Sequence, residues 1–241
     1  MLRAISFDYW DTLYEGAALP ERASLRQAAL RRMLDRLGCA LADDEFLALY
    51  KASGAEAERW WREEQRGYTA AERIRWMLDR LEIARPGNCE HVAAACAAVD
   101  EALLSYPPAL LPGAADTIEA LARRYTLAIT SDTGFASSRA QDRLLAHDRI
   151  QSLFAVRTYS MDVGHAKPRP EPFLATITAL GLRPNEILHV GDNERTDVRG
   201  ALAMGMRAIR LDLVRQNGPS SAEFVAESFE ALGEYLGTAD K

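Results

Sequence analysis

The stretch that decides the fold is Leu2-Arg3-Ala4-Ile5-Ser6-Phe7 followed by Asp8-Tyr9-Trp10-Asp11-Thr12-Leu13. A short run of strand formers stops on an acid and a polar cluster, the pattern of a β-strand running into a loop. Further along the chain the texture changes. From about Glu21 to Tyr106 the apolar residues recur at helical spacing: Leu25, Ala28, Ala29 and Met33, then Phe46, Leu49 and Tyr50, then Ile74, Met77, Leu78 and Leu81, then Val92, Cys96, Val99 and Leu103. Gly38, Gly67 and Pro86-Gly87 interrupt that periodicity, which predicts about four helices with short connections.

Beyond Pro107-Pro108 and Pro112-Gly113 strands and helices alternate. A helix around Asp116 to Arg124 leads to a strand over Thr126 to Thr130 that ends at Ser131-Asp132, and a helix follows from about Ser137 to Ala146. Then come a strand from Ala155 to Tyr159, a helix from about Glu171 to Leu180, the strand Ile187 to Val190, a helix from about Thr196 to Met204 and the strand Ala208 to Leu211. Strands separated by helices of this length predict right-handed crossovers and a parallel sheet covered on both faces. The expected fold class is α/β: a Rossmann-like parallel sheet core, residues 1–16 and 107–241, with an inserted all-helical, four-helix cap domain, residues 17–106.

Composition narrows the function classes. The chain has 241 residues, 48% of them hydrophobic and 27% charged, which excludes intrinsic disorder and collagen-like structure. With 29 basic and 35 acidic side chains and no block of like charge, the net charge of -6 offers no footprint for nucleic acid or for an anionic membrane. Cys39, Cys89 and Cys96 lack metal-ligand spacing and read as small buried thiols in a reducing compartment. No secretion signal and no apolar run of about 18 residues is found, so the expected location is the cytoplasm.

Open parallel sheets bind ligands at the carboxyl ends of their strands. Asp8, Ser131, Asp192 and Asp197 fall there, with Lys167 in the loop before a helix. Three carboxylates against one ammonium leave an excess of two negative charges in a partly desolvated cleft. At an effective dielectric of about 20, like charges ~4 Å apart cost on the order of 4 kcal/mol per pair. An oxygen-only set without histidine points to a hard divalent cation, and magnesium (Mg2+) is the natural choice. A carboxylate beside magnesium can attack phosphorus and form an aspartyl phosphate, with Lys167 and Ser131 holding the phosphoryl oxygens.

The segments Phe7-Asp8-Tyr9-Trp10-Asp11-Thr12-Leu13, Thr130-Ser131-Asp132, Lys167-Pro168-Arg169-Pro170-Glu171-Pro172-Phe173 and Val190-Gly191-Asp192-Asn193-Glu194-Arg195-Thr196-Asp197 resemble, in order, the four motifs of the haloacid dehalogenase superfamily. Leu111-Pro112-Gly113 and the run from Gly200-Ala201 to Gly205-Met206 extend the likeness, and the helical insertion sits where that superfamily carries its helical cap. The resemblance implies catalytic roles for Asp8 as nucleophile, Ser131 as phosphoryl ligand and Lys167 as the group that orders both. It implies substrate contacts at Thr12, Ser131, Asp132 and Lys167, and a magnesium site made of Asp8, the Trp10 carbonyl, Asp192 and Asp197. The implied activity is a phosphatase of a small phosphorylated metabolite; alternatives are a 2-haloacid dehalogenase, or a non-catalytic member that binds a phosphorylated ligand or a partner.

The first motif departs from the usual form. Phosphatases of the superfamily carry a second Asp two residues after the nucleophile, as acid and then base; Trp10 can be neither. Such help is worth roughly 10²- to 10⁴-fold. Dehalogenases place an aromatic residue there but lack the paired acids of the last motif, which this chain keeps. Asp11 reads as a tight-turn residue tolerant of unusual backbone angles. His165 reads as a solvated loop histidine, and Trp60, Trp61, Tyr68 and Trp76 read as packing unless one faces the sheet domain.

Overall fold

Ala4–Phe7 forms β1, whose four residues are buried. The computed structural model describes residues 1–16, 19–83, 90–214 and 218–239; the Pro86-Gly87 break and Cys89 lie outside them. After β1 come α1 (Pro20–Arg36), α2 (Asp43–Arg62), α3 (Ala70–Arg80) and α4 (Glu90–Ser105), the four helices read from the apolar spacing. Their ends have local causes. Pro20 opens α1, where a missing N–H costs nothing. Thr69 opens α3 through a reciprocal box: its hydroxyl accepts the Glu72 N–H at 3.2 Å while Glu72 accepts the Thr69 N–H at 2.8 Å. Leu30, Met33, Leu34, Phe46, Ile74, Met77, Leu78 and Val99 meet in an apolar cluster of this segment, which Phe135 joins from the sheet side.

The remainder alternates as expected: α5 (Ala114–Ala122), β2 (Thr126–Ser131), α6 (Ser138–His147), β3 (Phe154–Tyr159), the short α7 (Ser160–Val163), α8 (Pro170–Leu180), β4 (Ile187–Gly191), α9 (Arg199–Ala203), β5 (Arg207–Leu211), β6 (Phe224–Ala226) and α10 (Phe229–Ala239). The strands form one six-stranded sheet in the order β3-β2-β1-β4-β5-β6. Every pairing is parallel, with Phe7 opposite both Ile129 and Val190. β1 therefore sits in the middle, and the ends of β1, β2 and β4 open side by side. Ile5, Phe7, Leu127, Ile129, Leu188, Val190 and Ile209 are among the strand residues of the largest core.

Three elements were not anticipated: α7, a single turn of four residues, β6 and α10. β6 is a three-residue strand, too short to show a period, and α10 carries Gly233 and Gly237 within its span. The helix expected from about Thr196 is instead a π-helical turn, Glu194–Val198, running into α9. Among the described residues no helix is long and apolar enough to cross a membrane.

The two chain segments that enter and leave the helical insertion are joined to each other. Leu111 N–H donates to the Leu13 carbonyl at 2.8 Å and Glu15 N–H to the Ala109 carbonyl at 3.0 Å.

Candidate active site

Asp8 follows β1 directly, and its N–H is held by the Val190 carbonyl of β4 at 2.8 Å. Asp192 follows β4, and Asp197 is brought back toward it by the π-helical turn. That turn is set locally: the Asn193 side chain accepts the N–H groups of Arg195 and Thr196, and Asp197 Oδ2 accepts the Asn193 N–H at 3.0 Å. Gly191 makes this approach possible. A Cβ there would stand 2.4 Å from Asp197 Cγ. Carboxylate oxygens of Asp8, Asp192 and Asp197 come within 4.8 Å of one another, a grouping able to hold a metal ion.

Lys167 lies among them, fully buried. Its Nζ is 2.5 Å from Asp197 Oδ1 and 2.8 Å from Asp8 Oδ1. Burial alone would depress the ammonium's pKa, but the carboxylates of Asp197, Asp8 and Asp132 outweigh it and raise it. Asp197 moves the other way: burial opposes its charge, yet Lys167 and His189 hold its carboxyl well below the ordinary range. Asp8 is raised, chiefly by burial, with Lys167 pulling against that and Asp197 adding to it.

Asp132 joins the cleft side of the sheet to the insertion. Its Oδ1 accepts the Lys167 N–H at 3.0 Å and its Oδ2 accepts the indole N–H of Trp61, on α2, at 2.8 Å. Trp61 also lies under the guanidinium of Arg195, 5.6 Å from the ring centroid. The loop after α2 continues the contact: Ala166 N–H donates to the Gln65 carbonyl at 2.9 Å, and Gly67 N–H to the Gly164 carbonyl at 3.2 Å. The stretch just before Lys167 is thus held by the helical insertion. Burial pushes the Asp132 carboxyl up to about 6, against the pull of Lys167 and the Trp61 hydrogen bond.

The cleft so formed has a volume of about 220 Å³, and Asp8, Trp10, Asp132, Lys167 and Asp192 are in its wall. The sequence reading missed Glu58, Thr133, Asn193 and Thr196, which also line it. Of the aromatic group, Trp61 and Tyr68 line the cleft, whereas Trp60 packs on Tyr68 and Trp76 sits beneath Arg80 in the helical segment. The periodicity of α2 marks its faces but not which one meets Asp132, 71 residues away.

Two expected substrate contacts are not in the cleft wall. Thr12 and Ser131 are fully buried, and Ser131 Oγ donates to the Asp132 carbonyl at 3.4 Å. Thr12 lies in the turn after β1, and Ser131 is the last residue of β2 rather than part of the loop beyond it. Asp11 has a φ of 55°, the left-handed conformation expected for its turn. Its carboxylate accepts the Gly16 N–H at 2.8 Å and reaches the cleft wall. His165 faces Glu171 at 3.6 Å and is not one of the wall residues.

Comparison with known proteins bears on the family and the fold. The model of a family described as haloacid dehalogenase-like hydrolase matches residues 2–205. A glyceraldehyde 3-phosphate phosphatase of Methanopyrus kandleri is 28% identical over 212 residues, 88% of this chain and 84% of that protein. A ribulose-1,5-bisphosphate 5-phosphatase of Halopiger xanaduensis is 27% identical over 245 residues, 97% of this chain and 98% of that one. Among solved structures, a 2-haloacid dehalogenase of Pseudomonas syringae has the same fold, with a TM-score of 0.70, 24% identity and coverage of 98% and 99% of the two chains.

Proposed function

This chain belongs to the haloacid dehalogenase-like hydrolases, and on that premise we propose that it is a cytoplasmic, magnesium-dependent phosphatase of small phosphorylated metabolites. The observation that carries the reading is the buried Lys167 ammonium between Asp8 and Asp197, with Asp192 closing the acidic group. Three carboxylates against one ammonium are an oxygen-only donor set suited to a hard divalent ion. Asp8, Asp192 and the Trp10 carbonyl would hold it, with Asp197, whose two oxygens already serve Lys167, His189 and Asn193, supporting them from behind. Bound there, magnesium would neutralise charge on the phosphoryl oxygens.

The side chains supply the rest. An Asp8 oxygen attacks phosphorus, the bond from phosphorus to the leaving oxygen breaks, and water then cleaves the aspartyl phosphate to inorganic phosphate and free Asp8. Lys167 spreads the phosphoryl charge and keeps Asp8 placed. Ser131, at the end of β2, is a phosphoryl ligand once its hydroxyl turns from the Asp132 carbonyl. The helical segment acts as a cap, residues 17–106, that excludes water from the intermediate. A cleft of about 220 Å³ is below the roughly 300–1,000 Å³ of drug-sized sites, so it suits a small metabolite. Phosphatase activity of the two relatives over most of this chain supports the same reading.

The deciding experiment is a screen of phosphoesters and 2-haloacids with and without magnesium, joined to trapping with beryllium fluoride. Magnesium-dependent phosphate release and a trapped complex lost in Asp8→Asn are expected. Halide release without metal would replace this reading by a dehalogenase, and neither activity would leave a binding protein.

A further inference from the structure

Strands buried on both faces of a parallel sheet read as nearly continuous apolar runs. Here four neighbouring strands instead carry hydrogen-bonded polar side chains: Thr158 on β3, Thr130 on β2, Ser6 on β1 and His189 on β4. Ser6, Thr130 and His189, with Thr176 of α8, are wholly inaccessible to solvent. They form an unbroken row. Thr176 Oγ1 donates to Thr158 Oγ1 at 2.8 Å and lies 2.6 Å from Thr130 Oγ1. Thr130 Oγ1 is 2.7 Å from Ser6 Oγ, which is 3.2 Å from His189 Nδ1. The other ring nitrogen, Nε2, faces Asp197 Oδ1 at 3.3 Å, the oxygen that Lys167 Nζ contacts at 2.5 Å.

An ionised carboxylate only accepts hydrogen bonds, so Nε2 carries the hydrogen that meets Asp197. The ring plane is held as well, because Phe173 of α8 stands edge-on to it, with centroids 5.3 Å apart and planes at 89°. A row of this kind lies in a place where apolar side chains would pack without any polar group to satisfy. It ends on the carboxylate that anchors Lys167.

We propose that His189 is a positioning residue for the hydrolytic reaction: its Nε2–H fixes Asp197 so that Oδ1 holds Lys167 against Asp8, and the hydroxyls of Ser6, Thr130 and Thr176 fix the imidazole. Without that N–H, Oδ1 is left with Lys167 alone while Oδ2 keeps the Asn193 N–H, so the carboxylate can swing about that bond and carry Lys167 from Asp8, and small misplacements at a reacting centre are costly in rate. The kinetic part of the proposal rests on the phosphatase reading above.

The test is a double-mutant cycle on p-nitrophenyl phosphate at saturating magnesium. His189→Phe keeps a ring against Phe173 but removes both nitrogens; kcat should fall about 10-fold or more with KM within about twofold. Ser6→Ala, which touches neither cleft nor substrate, should lower kcat by about 3-fold, and should add nothing in the His189→Phe background. Thr130→Val with Thr176→Val removes the middle of the row and leaves the Ser6 and Thr158 hydroxyls short of a partner, so it should lower the melting temperature as well as kcat. Wild-type kcat in folded His189→Phe, or independent losses from Ser6→Ala and His189→Phe, would overturn the proposal. If His189→Phe does not fold, ¹⁵N-histidine NMR of the wild type and Ser6→Ala decides: the His189 Nε2 proton should be protected from exchange and lose that protection in the variant, and equal exchange overturns the proposal. Should the wild type release no phosphate from any ester, the phosphatase reading fails, while the NMR comparison still tests the row.

Discussion

On the proposed phosphatase reading, Trp10 takes the place of a second carboxylate that would pass a proton to the leaving oxygen, and its half-buried ring packs edge-on against Tyr9 with centroids 4.9 Å apart. An indole can neither give nor take that proton. Turnover should therefore depend steeply on leaving-group acidity, with aryl and acyl phosphates reacting far faster than sugar phosphates. A series of phosphoesters graded by leaving-group pKa measures this, and Trp10→Asp should raise alkyl ester turnover by ~10²-fold if the new carboxylate reaches the leaving oxygen. Asp11, held in its turn by Gly16, should tolerate Asn with little change; a collapse of activity in Asp11→Asn would assign the proton transfer to it. Asp132 makes a separate prediction. Its carboxyl, pushed up to about 6 by burial, holds its proton more tightly in the folded chain than in the unfolded one. Its contribution to stability therefore falls as pH rises from about 4 to about 6. Asp132→Asn removes that penalty, so the variant's melting temperature should gain on the wild type between about pH 4 and about pH 6. A constant difference across that range would mean that Asp132 is ionised throughout.

At the level of elements, the contact between α2 with its following loop and the stretch before Lys167 is the most exposed to a single substitution. A Cβ on Gly67 would lie 1.9 Å from the Ser160 carbonyl oxygen. Backbone cannot yield as a flexible side chain can, so Gly67→Ala should separate the two segments and break the Gly67 and Ala166 hydrogen bonds. Trp61→Phe removes only the indole N–H to Asp132. Both should raise KM, with Gly67→Ala the larger, on the order of 10-fold or more in kcat/KM; steady-state kinetics on an aryl phosphate reads the difference. Unchanged KM in Gly67→Ala would show that these contacts do not shape the binding cleft. None of this was legible in the sequence. The ends of β1, β2 and β4 were, to within a residue, because each apolar run gives way to an acid: Asp8 follows β1, Asp132 follows β2 and Asp192 follows β4. The four helices were legible for the same kind of reason, a sustained apolar period. The π-helical turn was not, since its residues carry the spacing of an ordinary helix start. The polar row through the sheet joins residues as far apart as Ser6 and His189, and only pairing of the strands brings them together.

Across the whole molecule, the position of β1 governs what can be separated from what. It lies between β2 and β4, so residues 1–16 belong physically with the chain after residue 106, although about ninety residues intervene. The helical insertion has its own apolar cluster, and its entering and leaving segments are joined by the Leu13–Leu111 and Glu15–Ala109 hydrogen bonds. On the proposed division, their closeness should let a turn of about two to four residues replace residues 17–106 without stretching the sheet. Such a protein should unfold in one cooperative transition and bind magnesium through Asp8 and Asp192, since those residues lie on the sheet side. It should lose discrimination among substrates, because Glu58, Trp61 and Tyr68 leave with the insertion. A fragment lacking residues 1–16 instead loses its central strand and should not fold. Urea unfolding followed by circular dichroism, together with magnesium titration calorimetry, measures both. The contacts that argue against separation are specific ones: Leu103 of α4 packs with Ala136 and Ala140, and Asp100 accepts the N–H and the hydroxyl of Ser137 at the start of α6. If the excised protein is unfolded while the intact one is stable, those contacts belong to a shared core, and the division at residues 17 and 106 is wrong.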